Sequence, residues 1–285
     1  MGYLIILLCA FLSCAKVTVQ GCLSRGNIKN VTDSLLANCV IFAFTFVLFA
    51  SGLRTEINMA VIGYAAMFGI LSVSFQTFYA LALKTGPFSA SCMIINLSMV
   101  LPIVFSIIYY NEKVTVTKVI GLILCAMALF LNVKSDDKKI NLKWVIYIAL
   151  AFLSTGVIFI VQKIFARSEV GGNMEQFIFF GYLISFVLSY IIFFTREKTV
   201  HERTFKLNKK TVIPAFFVAA FLGIYQFFYT YGNSFIDAII LAPSISGLAI
   251  MFQSLSGRII FKEKFTVKQI CSICVGVVAI VLISL

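Results

Sequence analysis

The chain has 285 residues, of which 61% are hydrophobic and only 12% charged, and its net charge is +12. That apolar share is well above the roughly one half usual in soluble domains, so a water-soluble globular enzyme is excluded and a membrane protein is expected. With 30 Phe against 4 Pro, the composition favours long uninterrupted helices.

Ten apolar segments of about 19 to 25 residues follow one another, each long enough to cross the ~30 Å hydrocarbon layer as a helix. Their cores are 2–23, 34–53, 58–83, 88–110, 115–133, 143–166, 174–195, 211–232, 237–261 and 266–285. The first starts at Met1 without a basic leader or a small-residue cleavage site, so it is expected to be a retained helix. The eight Cys lie in or beside apolar segments, where Cys acts as a small hydrophobe, and the Cys271/Cys274 pair is read as chance spacing on a membrane helix. His201, in the charged loop after segment seven, lacks the Cys, Asp or Ser company that metal ligation or nucleophilic catalysis needs. No enzyme constellation, cofactor or metal site is expected.

The second half repeats the first. "NEKVTV" at 111–116 returns as "KEKFTV" at 262–267, "FQTFYA" at 75–80 as "YQFFYT" at 225–230, and "AFLS" occurs at 10–13 and 151–154. The offset grows from 141 to about 150, which places the extra residues in the loop "TREKTVHERTFKLNKK". The expected fold is therefore an all-α membrane protein with ten transmembrane helices as two inverted five-helix repeats, 1–138 and 139–285. The inversion follows from counting, because an odd number of crossings returns the next repeat upside down.

In this frame Glu112-Lys113 and Glu263-Lys264 read as charged elbows at headgroup level. Thr115 or Thr266 would cap the helix that follows, Thr266 with Gln269 at capping-box spacing. The small residues Gly121, Cys125 and Ala128, matched by Ser272, Gly276 and Ala279, would let helices five and ten pack closely.

The elbow "ALALKTGPFSAS", the Glu-Lys phrase after helices four and nine, and the five-plus-five plan resemble the EamA-type carriers of the drug/metabolite transporter superfamily. Asn111 and Lys262 stand where that family often has Gly, and Met99 where it often has Pro, with Pro102 following. The resemblance implies a secondary transporter of the cell membrane, the inner membrane in a bacterium, moving a small metabolite by alternating access through a cavity between the halves. Two fused halves supply each other's partner, so a monomer is expected. The small-molecule substrate and the lipid bilayer are its expected partners, and the +12 charge needs no nucleic acid.

The charge is asymmetric. Leaving out Lys16, loops after odd-numbered helices carry 17 Lys and Arg and loops after even-numbered helices carry 5. By the positive-inside rule the richer side is cytoplasmic and both termini lie outside. The family resemblance often implies the reverse, and the count is followed here.

Polar side chains in membrane segments are costly unless they face partners or water. Ser13, Lys16 and Gln20 share one face of helix one; Ser72, Gln76 and Tyr79 one face of helix three; Gln226, Tyr229 and Asn233 one face of helix eight. Asn96, Gln162, Ser246 and Gln253 add to helices four, six and nine. The expected substrate-binding set is Lys16, Ser13, Gln20, Gln76, Tyr79, Asn96, Gln162, Gln226, Tyr229 and Gln253, with Lys16 meeting a carboxylate or phosphate of an amino-acid-like or other anionic or zwitterionic solute. The aromatic residues nearest these groups in sequence are Phe78, Tyr225 and Phe228. For each Gln and Asn, a plain helix-to-helix hydrogen bond is the competing expectation, and for Lys16 it is snorkelling to the membrane surface. The competing functions are a translocase of lipid or lipid-linked head groups and an exporter of drug-like or choline-like cations. The acidic residues, Glu175 and Asp237 the deepest, lie in loops or at helix ends, which disfavours a cation carrier.

Overall fold

The computed structural model describes residues 2–54, 56–112, 115–131, 141–200 and 204–261, with scattered helical positions between 267 and 282. The helices are α1 (Gly2–Asn27), α2 (Val31–Leu48), α3 (Met59–Thr85), α4 (Phe88–Leu97), α5 (Val100–Tyr110), α6 (Val116–Leu131), α7 (Leu142–Ala166), α8 (Met174–Val200), α9 (Lys209–Phe235) and α10 (Ala238–Ile259). Among the described residues there is no strand.

Eight spans among the described residues are long and apolar enough to cross a membrane, α4 and α5 together forming one of them. The predicted fifth segment appears as the shorter α6. The predicted tenth falls largely outside the described residues, and Val267, Cys271, Cys274, Val278 and Ala279 within it are helical. Ten crossings therefore remain the reading of the sequence.

Asparagine starts four of these helices. Asn30, Asn58, Asn141 and Asn208 each accept a backbone N–H of the first turn, at 2.8, 2.9, 3.0 and 3.2 Å, satisfying donors that the helix leaves unpaired. Asn208 completes a capping box with Thr211.

The predicted fourth segment breaks between Leu97 and Val100. Pro102 has no N–H to give the Ser98 carbonyl. That carbonyl instead accepts the N–H of Leu101 at 3.1 Å, three residues on rather than four.

Packing shows a two-fold relation. The helix α1 lies on α9 as α3 lies on α7, and α2 on α9 as α3 on α8. At the last two contacts a hydroxyl makes the same pair of bonds. Thr45 Oγ1 donates to Ile41 O at 2.8 Å and reaches Ala219 O at 3.4 Å. Ser185 Oγ donates to Gly181 O at 2.8 Å and Gly69 O at 3.1 Å. The approach at Gly69 is tight enough that a Cβ there would lie 2.7 Å from the Gly181 carbonyl oxygen, as expected of helices packed through small residues. Ala279 belongs to a cluster with Met99, Ile103 and Ile239, against which Leu122 and Leu124 of α6 also pack.

Two readings of the sequence change. Glu112, at the turn between α5 and α6, does not point outward as an elbow would: it is 9% exposed, turned inward to the start of α10, and Lys163 Nζ lies 3.1 Å from its Oε1. Lys163, counted above as a loop residue, is 0% exposed within α7. Short-range pattern cannot separate an elbow from a buried cap whose partner is distant in the chain. Lys113, Glu263, Lys264, Thr266, Gln269, Ser272, Gly276 and His201, and the side chains of Cys125 and Ala128, lie outside the described residues. Thr115 precedes α6, and its hydroxyl meets that of Thr117 at 2.9 Å.

Removing Lys163 from the poorer side sharpens the charge bias, so a reporter fused after Leu285 is expected to read outside. A cytoplasmic signal from that reporter would contradict the orientation.

Candidate functional site

Between the halves lies a cavity of about 50 Å³, room for only a few water molecules. Three helices of each half build it, and they do so from matching positions. Ser13, Lys16 and Val17 come from one face of α1, and Thr155, Ile158 and Phe159 from α7. Phe75 and Tyr79 of α3 are matched by Tyr225 and Tyr229 of α9, and Asn96 of α4 by Ser246 of α10. The i, i+3, i+4 spacing that brings 13, 16 and 17 onto one helix face recurs at 155, 158 and 159. This register sets Ser13 against Thr155, one residue away from the "AFLS" match in the sequence.

The matched positions are alike in charge except at one pair. Lys16 stands where the second half has Ile158. Lys16 is 6% exposed, and its Nζ lies 4.9 Å from the ring centre of Phe75 and 6.0 Å from that of Tyr79. It therefore lines the cavity and does not run along lipid. Among the described residues no Asp or Glu lines the cavity, so the aromatic faces are the ammonium's visible electrostatic support, a contact worth about 0.5–2 kcal/mol.

Of the ten residues singled out in the sequence, seven line the cavity: Ser13, Lys16, Tyr79, Asn96, Gln226, Tyr229 and Gln253. Gln20, Gln76 and Gln162 do not. Gln20 Nε2 donates to Gln76 Oε1 at 2.9 Å, and Gln162 Nε2 to Gln226 Oε1 at 2.9 Å and Thr230 Oγ1 at 2.8 Å. These two amide pairs are equivalent by the repeat and tie α1 to α3 and α7 to α9.

Within the lining, Asn96 Nδ2 donates to Gln253 Oε1 at 2.9 Å across α4 and α10. The Tyr79 hydroxyl donates to Cys92 Sγ at 3.6 Å. Thr155 Oγ1 is buried with no partner among the described residues. The rings of Phe159 and Tyr229 pack 4.7 Å apart, and those of Tyr225 and Tyr229 5.7 Å. Phe75, Cys92, Thr155 and Phe159 were missed in the sequence; the signal for Phe75 was its place opposite Tyr225 in the repeated aromatic phrase. Tyr225 lines the cavity, whereas Phe78 stacks on Tyr147 and Phe228 meets Phe227.

The two ends of the bundle carry different chemistry among the described residues. At the end holding the α7 C-terminus, Glu112 bonds Lys163 and accepts the N–H groups of Ala238 and Ile239 at 3.2 and 3.3 Å. Carboxylate oxygens at those N–H groups offset the positive end of α10. Beside it Arg167 meets Asp237 at 3.3 Å, and Lys163 donates to Ile236 O at 3.0 Å. At the opposite end the rings of Phe88 and Phe261 stack 4.3 Å apart, with Arg25 4.6 Å over Phe261. Gly21 lies where a Cβ would come within 2.9 Å of both rings.

A membrane-crossing helical bundle that encloses a polar cavity between two repeat-related halves has the architecture of a carrier. The model of the EamA-like transporter family matches residues 1–134 and again residues 142–285. The chain therefore belongs to that family, as two repeats, and with it to the drug/metabolite transporter superfamily; it is an integral membrane transporter. No curated protein matches it in sequence. A crystal structure described only as that of a protein shares the fold at 15% identity and a TM-score of 0.72, over 97% of this chain and 98% of its own.

Proposed function

We propose that this transporter is a secondary carrier that moves a small metabolite with an anionic group, amino-acid-like or otherwise, by alternating access through the cavity. The observation that carries the reading is Lys16, a cation enclosed in the cavity with no carboxylate in the described lining. An ammonium at that depth costs on the order of 2.5–3.5 kcal/mol, and a carboxylate or phosphate on the solute would offset that cost when it binds. Asn96, Gln226, Tyr229 and Gln253 supply hydrogen bonds to the remainder of the solute.

The small volume favours a small solute and requires the halves to part for entry. The charged end and the aromatic end are separate closures that can open in turn. We assign the carrier to a cell membrane, the inner one in a bacterium, and to a monomeric unit.

A thermal-shift screen of the detergent-purified chain against a metabolite panel tests this reading. Small organic anions are expected to raise the melting temperature, while quaternary ammonium compounds are not. Stabilisation by the cations alone would contradict it.

A further inference from the structure

The charge of the cavity differs between its halves at one matched pair, Lys16 and Ile158. The second half's lining is uncharged among the described residues, apolar at Ile158, Phe159 and Ile245 and polar at Tyr225, Gln226 and Tyr229. An anionic group bound at Lys16 thus leaves the rest of the solute to an uncharged lining that includes Ile158, Phe159 and Ile245.

Resting on the carrier reading above, we propose that the substrate is an organic monoanion with an uncharged body that carries an apolar part, and no ammonium group. Its anionic head binds to the first repeat and its body packs on the second.

The exclusion of an ammonium has a geometric cause. In an α-amino acid the ammonium sits one carbon from the carboxylate. With the carboxylate on Lys16 it would be held within a few ångströms of the Lys16 ammonium, a like charge in a low-dielectric site. A compensating carboxylate is missing from the described lining. At the charged end of the bundle, Glu112 is engaged by Lys163 and two backbone N–H groups. Of the aromatic residues in the lining, Phe75 and Tyr79, those beside Lys16, already lie under its ammonium, and Phe159, Tyr225 and Tyr229 pack on one another. The polar groups that remain are uncharged amides and hydroxyls, Asn96, Gln226 and Tyr229 among them, and Thr155 Oγ1, without a partner among the described residues, can serve one uncharged polar atom.

A closely matched set of ligands tests the proposal: isovalerate, valine (which is isovalerate bearing an α-ammonium), isovaleramide (the uncharged amide analogue of isovalerate) and acetate (which lacks the branched body). Titration calorimetry on the detergent-purified full chain should show isovalerate binding at least tenfold more tightly than each of the other three. In Lys16→Met the preference of isovalerate over isovaleramide should disappear, and in Phe159→Ala its preference over acetate should narrow.

Valine or isovaleramide binding as tightly as isovalerate would overturn the proposal, as would a failure of all four to bind. Should Lys16→Met fail to fold, the comparison of the four ligands on the parent protein decides alone. The carrier reading stands or falls separately: any water-soluble solute moved by the protein in liposomes keeps it, whatever the outcome with these ligands.

Discussion

Lys16→Met is expected to keep the melting temperature at or above that of the parent chain and to abolish transport of anionic solutes. Methionine preserves the length of the side chain, removes an ammonium that is costly to bury, and sets a thioether near the Phe75 ring, a favourable contact. The ammonium lies over the rings of Phe75 and Tyr79, which lose no hydrogen bond when it is removed. A hydrogen bond to a charged group contributes about 1.5–3 kcal/mol, so affinity for the anion should fall at least tenfold. Comparing thermal melts with tracer uptake checks both halves of this statement. Unimpaired anion transport in the variant would show that Lys16 has no part in binding.

Glu112→Gln is expected to lower stability by about 3–5 kcal/mol, because removing one partner of a buried ion pair leaves the other charge uncompensated. The side chains of Lys163 and Glu112 are 0% and 4% exposed, and Glu112 also accepts the first N–H groups of α10. The closure of that end of the bundle should loosen together with the helix start. Adding Lys163→Met should recover a large part of the loss, since the stranded ammonium is then gone while the introduced glutamine still presents an acceptor to the N–H of Ala238. Thermal melts of both singles and the double variant measure the coupling. Simple addition of the two single effects would contradict the account of this pair as a unit.

Much of the architecture was legible in the chain. Hydropathy gives the spans because in lipid each segment must be apolar and satisfy its own backbone, and the repeated phrases relate the two halves. The position of Lys16 in the cavity followed from the face it shares with Ser13, a matter of helical period. The roles of Gln20, Gln76 and Gln162 did not follow, because an amide that bonds a neighbouring helix and one that faces a cavity have the same period. Glu112 was misread for a related reason: its partners, Lys163 and the start of α10, are remote in sequence and adjacent only once the halves are packed. The break after Leu97 was also hidden, although Pro102 marked the carbonyl that had to find another donor.

The measurement closest to the central claim is counterflow in liposomes reconstituted with the purified chain, using labelled organic anions and, in parallel, a labelled phospholipid. A small organic anion is expected to exchange across the membrane, Lys16→Met to stop the exchange, and the phospholipid to stay in its leaflet. Movement of the phospholipid between leaflets, with no exchange of any water-soluble solute, would contradict it.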